Sequence, residues 1–162
     1  MRVLGIDPGY GRCGMAVVER ERGKDRLIFS ECVETDSGEE FAARLSRVTK
    51  ECERLIEKYV PEAFAIEKLF FNANQKTAMR VAEVRGALIQ CASRAGLDIS
   101  EYTPGQIKSA VSGFGKADKK QIAAMLHLLI DIPKATRLDD EYDAIAVAVT
   151  HLSFARAPLQ VV

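Results

Sequence analysis
Four acidic residues in this 162-residue chain stand where apolar runs end or begin. Asp7 closes VLGID, Glu67 closes AFAIE, and Asp140 and Asp143 lead into the apolar stretch AIAVAVTHL. A buried carboxylate without a partner costs several kcal/mol, so an acid at the edge of a core element calls for a cation, a donor or a metal beside it. Residues three apart on a helix lie about 60° apart around the axis and ~4.5 Å along it, so Asp140 and Asp143 can present oxygens to a common point. Two acids on strands and two on one helix face make an all-oxygen cage. Such a cage suits a hard cation, Mg²⁺ or Mn²⁺, rather than zinc.

Each acid taken singly also has an ordinary explanation. Asp7 before Pro8 and Gly9 is a common turn former, and acids from Asp139 to Asp143 can cap a helix start and favour its dipole. Glu67 is the hardest to dismiss, because nothing in strand geometry calls for an acid there. Asp139, four residues before Asp143, is a further candidate for the same ion. The two histidines suit packed or surface positions: His127 lies mid-helix, and His151 falls about 12 Å along a helix from Asp143.

The elements that must position these acids follow an α/β order. Residues 2 to 7, 13 to 21 and 27 to 35 read as strands, the first two joined by a Gly-rich hairpin turn. Phe41, Leu45, Val48, Cys52, Leu55, Ile56 and Tyr59 then recur at helical spacing, with Ser37 and Glu40 in the form of a capping box and Pro61 marking the end. AFAIE (63 to 67) is a short buried strand and KLFFNAN a loop. The helix of QKTAMRVAEVRGALIQCASRAG stops at Gly96, and DISEYT is another short strand. Helices over 105 to 112, 118 to 130 and 139 to 156 complete the chain, with no repeat and no low-complexity linker.

Composition narrows the class. At 162 residues and 48% hydrophobic content, the chain suits a single globular domain, 1–162, that removes roughly 70% of its unfolded surface from water. No apolar stretch approaches the ~20 residues of a membrane span, and the N-terminal run is too short for a secretory signal, which fits a cytoplasmic protein with no membrane partner. Cys13, Cys32, Cys52 and Cys91 show no C-x-x-C spacing, as expected of small apolar side chains in a reducing compartment. Net charge is zero, yet residues 68 to 120 carry nine basic and four acidic groups. Screening confines each charge to about 10 Å, so this segment can collect phosphate on a neutral chain.

The blocks GIDPGYGRCG, AIEKLFFNAN with RG beyond it, YTPGQIKSAVSGFGKADK and DDEYDAIAVAVTH, in this order, together resemble the RuvC family of Holliday junction resolvases across nearly the whole chain. A lone D-x-G after a strand is a weak signal, shared with actin-like ATPases and sugar kinases; AIEKLFF and the G-x-G-x-A-[DE]-K loop are narrower. The resemblance implies a ribonuclease H-like α/β fold, a mixed five-stranded sheet with three antiparallel strands first and parallel strands after, flanked by helices. It implies that Asp7, Glu67, Asp140 and Asp143 are the catalytic, metal-holding carboxylates of a crossover junction endodeoxyribonuclease that acts in recombination and repair. Two Mg²⁺ ions about 4 Å apart, replaceable by Mn²⁺, would activate a water and stabilise the leaving 3′ oxygen, with no histidine base required.

By the same resemblance Lys108 and Lys119 match lysines that contact DNA or assist the site, and Phe70 matches an aromatic that wedges into the opened crossover. An exposed loop aromatic can stack on a base for ~1–3 kcal/mol; core packing is the ordinary alternative for Phe70 and Phe71. The expected partners are four-way junction DNA, a second copy of the chain, and the RuvA–RuvB branch-migration complex. A two-fold junction cut on opposed strands suits a homodimer, with Met79, Val81, Ala82, Leu88 and Ile89 as candidate interface positions that could equally line the core. The chain departs from the family pattern at Ala73, where lysine is usual, and at Tyr10, Cys13 and Met15. Rival readings are another ribonuclease H-like nuclease acting on RNA–DNA hybrids or other branched DNA, a non-catalytic junction-binding module, and an actin-like ATPase, whose second phosphate loop and domain 162 residues can scarcely hold.

Overall fold
The computed structural model describes residues 1–69, 75–133 and 138–155. The chain runs β1 (Arg2–Asp7), β2 (Arg12–Glu21), β3 (Lys24–Glu34), α1 (Phe41–Tyr59), β4 (Ala63–Glu67), α2 (Gln75–Arg94), β5 (Asp98–Tyr102), α3 (Pro104–Ser112), α4 (Lys119–Leu129) and α5 (Asp139–Phe154). The five strands form one sheet in the order β3-β2-β1-β4-β5. β1, β2 and β3 pair antiparallel, and β4 lies parallel to both β1 and β5. Three antiparallel strands first and parallel strands after are what the family resemblance implies. β3 begins earlier than expected because Arg22 and Gly23, both at positive φ, make a two-residue turn directly between Glu21 and Lys24.

Strand alternation sorts the two faces. Leu4, Ile6, Met15, Val17, Phe64 and Ile66 point to one side, where Val48, Cys52 and Leu55 of α1 and Val84, Leu88 and Ala92 of α2 cover them. Val3, Ala16, Val18, Ala63 and Ala65 point to the other, beneath α3, α4 and α5. That second face is built of small residues because α5 comes in close. A Cβ on Gly5 would stand 2.4 Å from the Ala144 carbonyl oxygen, and one on Gly14 would stand 1.9 Å from that of Asp140. Ala144, Ala146 and Ala148 keep the helix side of the contact equally thin. By parity, Asp7 and Glu67 continue the rows of Val3 and Gly5 and of Ala63 and Ala65, so both acids end their strands on the α5 face.

One expectation needs correction, and one alternative left open by the sequence is narrowed. Ser37 and Glu40 do not form a capping box: Glu40 is the N-cap residue of α1 but makes no side-chain cap bond, and Asp36 instead accepts from the Gly38 amide at 2.8 Å, turning the chain before the helix. Leu88 is fully buried, and Ile89 packs against the same core, because Val84, Leu88, Cys91 and Ala92 are the α2 positions facing the sheet. Those two residues therefore serve the subunit's own core, whereas Met79 is 65% exposed. All four cysteines are free thiols, and among the described residues no helix is long and apolar enough to cross a membrane.

Candidate active site
β1 and β4 are parallel neighbours that end side by side, which brings Asp7 and Glu67 to one edge of the sheet. α5 starts above that edge. Its N-terminus is tied to β3 by Glu141, whose Oε1 accepts from the Leu138 amide at 3.1 Å and whose Oε2 accepts from Ser30 Oγ at 2.6 Å. The Gly14 contact lets the first turn of α5 sit on β2, and the next turn of the helix carries Asp143 toward Asp7 and Glu67.

The electrostatics record how closely the acids are gathered. Burial, then the charges of Asp143, Glu67 and Asp140, push the Asp7 carboxyl up to about 7. Burial and the Asp143 charge raise Glu67 to about 7, against the pull of Lys119 and Lys108. Asp140 Oδ2 is buried without a hydrogen-bond partner. Cations stand on both flanks: Lys119 Nζ donates to Asp143 Oδ2 at 2.9 Å, which raises the lysine above its ordinary range, and Arg12 Nη1 lies 3.7 Å from Asp140 Oδ2. Among the described residues no three acid, imidazole or thiol groups converge on one point at coordination distance. The oxygens nevertheless suit a hard cation in kind: they are carboxylates only, in charge surplus, with one buried oxygen unpaired.

Beside Glu67 and Asp143 opens a cleft of about 180 Å³ floored by Ile107 and Ile122, with Lys108 and Lys119 at its rim. The expected lysines are thus both at the acids. Lys119 is carried there by a helix start that Asp118 and Gln121 cap reciprocally, and Lys108 by the Thr103–Gln106 capping box of α3. Asp139 is exposed, one residue from Asp140. His127 meets the Tyr142 hydroxyl through Nε2 and His151 meets that of Tyr102 through Nδ1, each at 3.0 Å, so both histidines are structurally engaged. Phe70, Phe71 and Ala73 lie outside the described residues.

Three supporting residues escaped the sequence. Arg85 donates through Nε to the Glu67 carbonyl at 3.2 Å and pairs with Glu101, bracing the end of β4. The buried Arg44 donates to Thr35 Oγ1 and to the Tyr10 carbonyl, and its guanidinium lies 4.6 Å from the Tyr10 ring centroid, which fixes the loop that follows Asp7. Arg12 is the third. Cys13 and Met15 are fully buried on the α1 side, so their departures from the family pattern fall away from the acids.

Comparison with known proteins bears directly on this arrangement. The family model described as "Crossover junction endodeoxyribonuclease RuvC" matches residues 3–151. The chain belongs to the RuvC family. The crossover junction endodeoxyribonuclease RuvC of Moorella thermoacetica is 43% identical over 155 residues, 96% of this chain and 93% of that protein. The structure of T. thermophilus RuvC in complex with Holliday junction substrate superposes with a TM-score of 0.90 at 34% identity, covering 96% of this chain and 95% of that one. The yeast mitochondrial Holliday junction resolvase shares the fold alone, with a TM-score of 0.69 at 16% identity over 94% of this chain and 78% of that one. The architecture is therefore the ribonuclease H-like one of the RuvC family and related resolvases.

Proposed function
We propose that this chain is a structure-selective endonuclease that resolves four-way DNA junctions by paired, symmetric hydrolysis of backbone phosphodiesters in recombination and repair. The observation that carries the reading is the near-complete superposition on a RuvC bound to a Holliday junction substrate. The acids of β1, β4 and α5, gathered on one sheet face between basic side chains, support it.

Asp7, Glu67, Asp140 and Asp143 are the catalytic residues and would hold Mg²⁺, with Mn²⁺ able to substitute and two ions per site. Bound ions would supply an activated water and charge neutralisation at the leaving oxygen. The chain's own groups do the rest. Burial keeps bulk water from screening the acids, so Asp7 and Glu67 would hold a cation in place of protons. Lys119 steadies Asp143, and Lys108 faces the cleft beside Glu67, where both ammonium groups attract a phosphate backbone. Phe70 is the proposed wedge at the crossover. One domain, 1–162, does this work in the cytoplasm as a homodimer whose two sites match the two-fold axis of the junction, with RuvA–RuvB as partner.

Incubation of the protein with a synthetic four-way junction and Mg²⁺ tests the reading. Two ligatable duplexes are expected. Cutting confined to RNA–DNA hybrids would make the chain another ribonuclease H-like nuclease, and binding without cutting would make it a junction-binding module.

A further inference from the structure
Lys108 and Lys119 stand on one side of the acids, the side of β4, α3 and α4. On the other side the cationic group at hand is Arg12, the first residue of β2. Alternation along β2 puts its side chain on the same face as Gly14 and Ala16, beneath the start of α5. Its guanidinium approaches Asp140 Oδ2 to 3.7 Å without making a hydrogen bond, and that oxygen is buried and otherwise unpartnered. The Arg12 side chain is 56% exposed. A loose pair on an exposed stem is weakly held, so the guanidinium is free to exchange one anionic partner for another. A buried oxygen without a donor is, conversely, poorly served by an arginine at that distance and better served by a direct ligand.

We propose that Arg12 is a substrate-positioning residue with two alternative partners. It screens Asp140 in the free protein, and it turns to a backbone phosphate of the DNA strand on the flank opposite Lys108 and Lys119 when the strand binds, which leaves Asp140 to a cation. A strand crossing the acids exposes phosphates on both sides of the bond to be cut, and a planar, bidentate guanidinium suits a phosphate whose orientation must be fixed. The inference rests on the reading of the site as a DNA nuclease.

The two partners give opposite signs in two binding measurements, neither of which depends on cleavage. Arg12→Gln removes the charge and keeps a shorter, polar side chain. Mn²⁺ titration of the DNA-free protein, followed by electron paramagnetic resonance, should show tighter binding in Arg12→Gln by up to about fivefold, the scale of one exposed ion pair. Four-way junction binding in metal-free buffer, measured across a salt series, should weaken, with the slope of log K against log salt smaller by about 0.9. Arg12→Lys should restore the slope while binding the junction less tightly than the wild type, because an ammonium cannot fork onto two oxygens. An unchanged salt slope, or unchanged or weaker Mn²⁺ binding, overturns the proposal. Failure of the wild type to cut junctions in Mg²⁺ would sink the nuclease reading instead, and would leave both binding results standing.

Discussion
The carbonyl oxygen of Asp140 occupies the place where Gly14 would carry a side chain, 1.9 Å from an ideal Cβ. The first turn of α5 therefore lies directly on the backbone of β2, and the Asp140 and Asp143 carboxylates take their height above the sheet from a hydrogen atom at residue 14. Gly14→Ala should push the helix outward. We expect a stability loss of about 1–3 kcal/mol by chemical denaturation, the range for an overpacked core, and a larger fractional loss of cleavage than of junction binding. Retention of both would mean that α5 yields without moving the acids.

Asp7→Asn and Glu67→Gln should each lower cleavage by more than the roughly 10–100-fold typical of losing an outer partner of a metal ligand. Junction affinity in metal-free buffer should hold or improve, since each change removes a negative charge from a surface that meets phosphate. Gel-shift and cleavage assays on one junction separate the two effects. Substantial cutting by either variant in Mg²⁺ would take that residue out of the site.

The raised Asp7 carboxyl makes the metal-free protein sensitive to pH. An acid at about 7 in the folded state and 3.8 in its ordinary state holds its proton more tightly when folded. Its contribution to stability is therefore full below pH ~4, falls as pH rises between about 4 and 7, and is gone above that. Asp7→Asn, which cannot ionise, should melt at a higher temperature than the wild type at pH 8 without metal, and the gap should close on descending to pH 4. Added Mg²⁺ should raise the wild-type melting temperature at pH 8 more than at pH 5, and more than it raises that of Asp7→Asn. A gap that widens toward low pH would refute the burial and repulsion assigned to Asp7.

Lys108→Ala and Lys119→Ala should each flatten the salt dependence of junction binding by about 0.9 per lost phosphate contact. Lys119→Ala should in addition slow cleavage at saturating junction, because it releases Asp143 from its 2.9 Å partner. Equal salt slopes in wild type and variants would make both lysines ordinary surface groups.

Dimers assembled from one wild-type and one Asp7→Asn subunit should nick one strand and leave its opposite intact, giving nicked junctions instead of ligatable duplexes. Paired cuts by such dimers within one binding event would rule out one site per strand.

How much of this was legible in the sequence depended on what each residue interrupts. Asp7 and Glu67 break runs of apolar residues, and a broken pattern is visible in one dimension; their meeting followed once β1 and β4 were parallel neighbours. The helices were found from their period, and where α1 starts was misjudged because Asp36 competes with Ser37 for the turn. Arg12 and Arg85 stood inside the blocks that carry the family resemblance but showed no role of their own, since a charged residue at a strand mouth or on a helix flank breaks nothing. Ser30 and Glu141 meet across 111 residues, a contact no local rule reports. The small residues of the α5 face went unread for a related reason: Gly5, Gly14, Ala16, Ala63 and Ala65 look like weak strand formers until a helix is known to lie against them.

The helix that completes the acidic cluster follows every strand in chain order and so is made after the sheet. While the ribosome is still synthesising it, the sheet that carries Asp7 and Glu67 can already pair, and a face of Ala and Gly backbone waits uncovered for α5. A nascent chain on which α5 has not yet docked thus holds two of the four carboxylates. On the proposed function, the site becomes competent only when α5 docks, and until then the half-built sheet leaves DNA uncut.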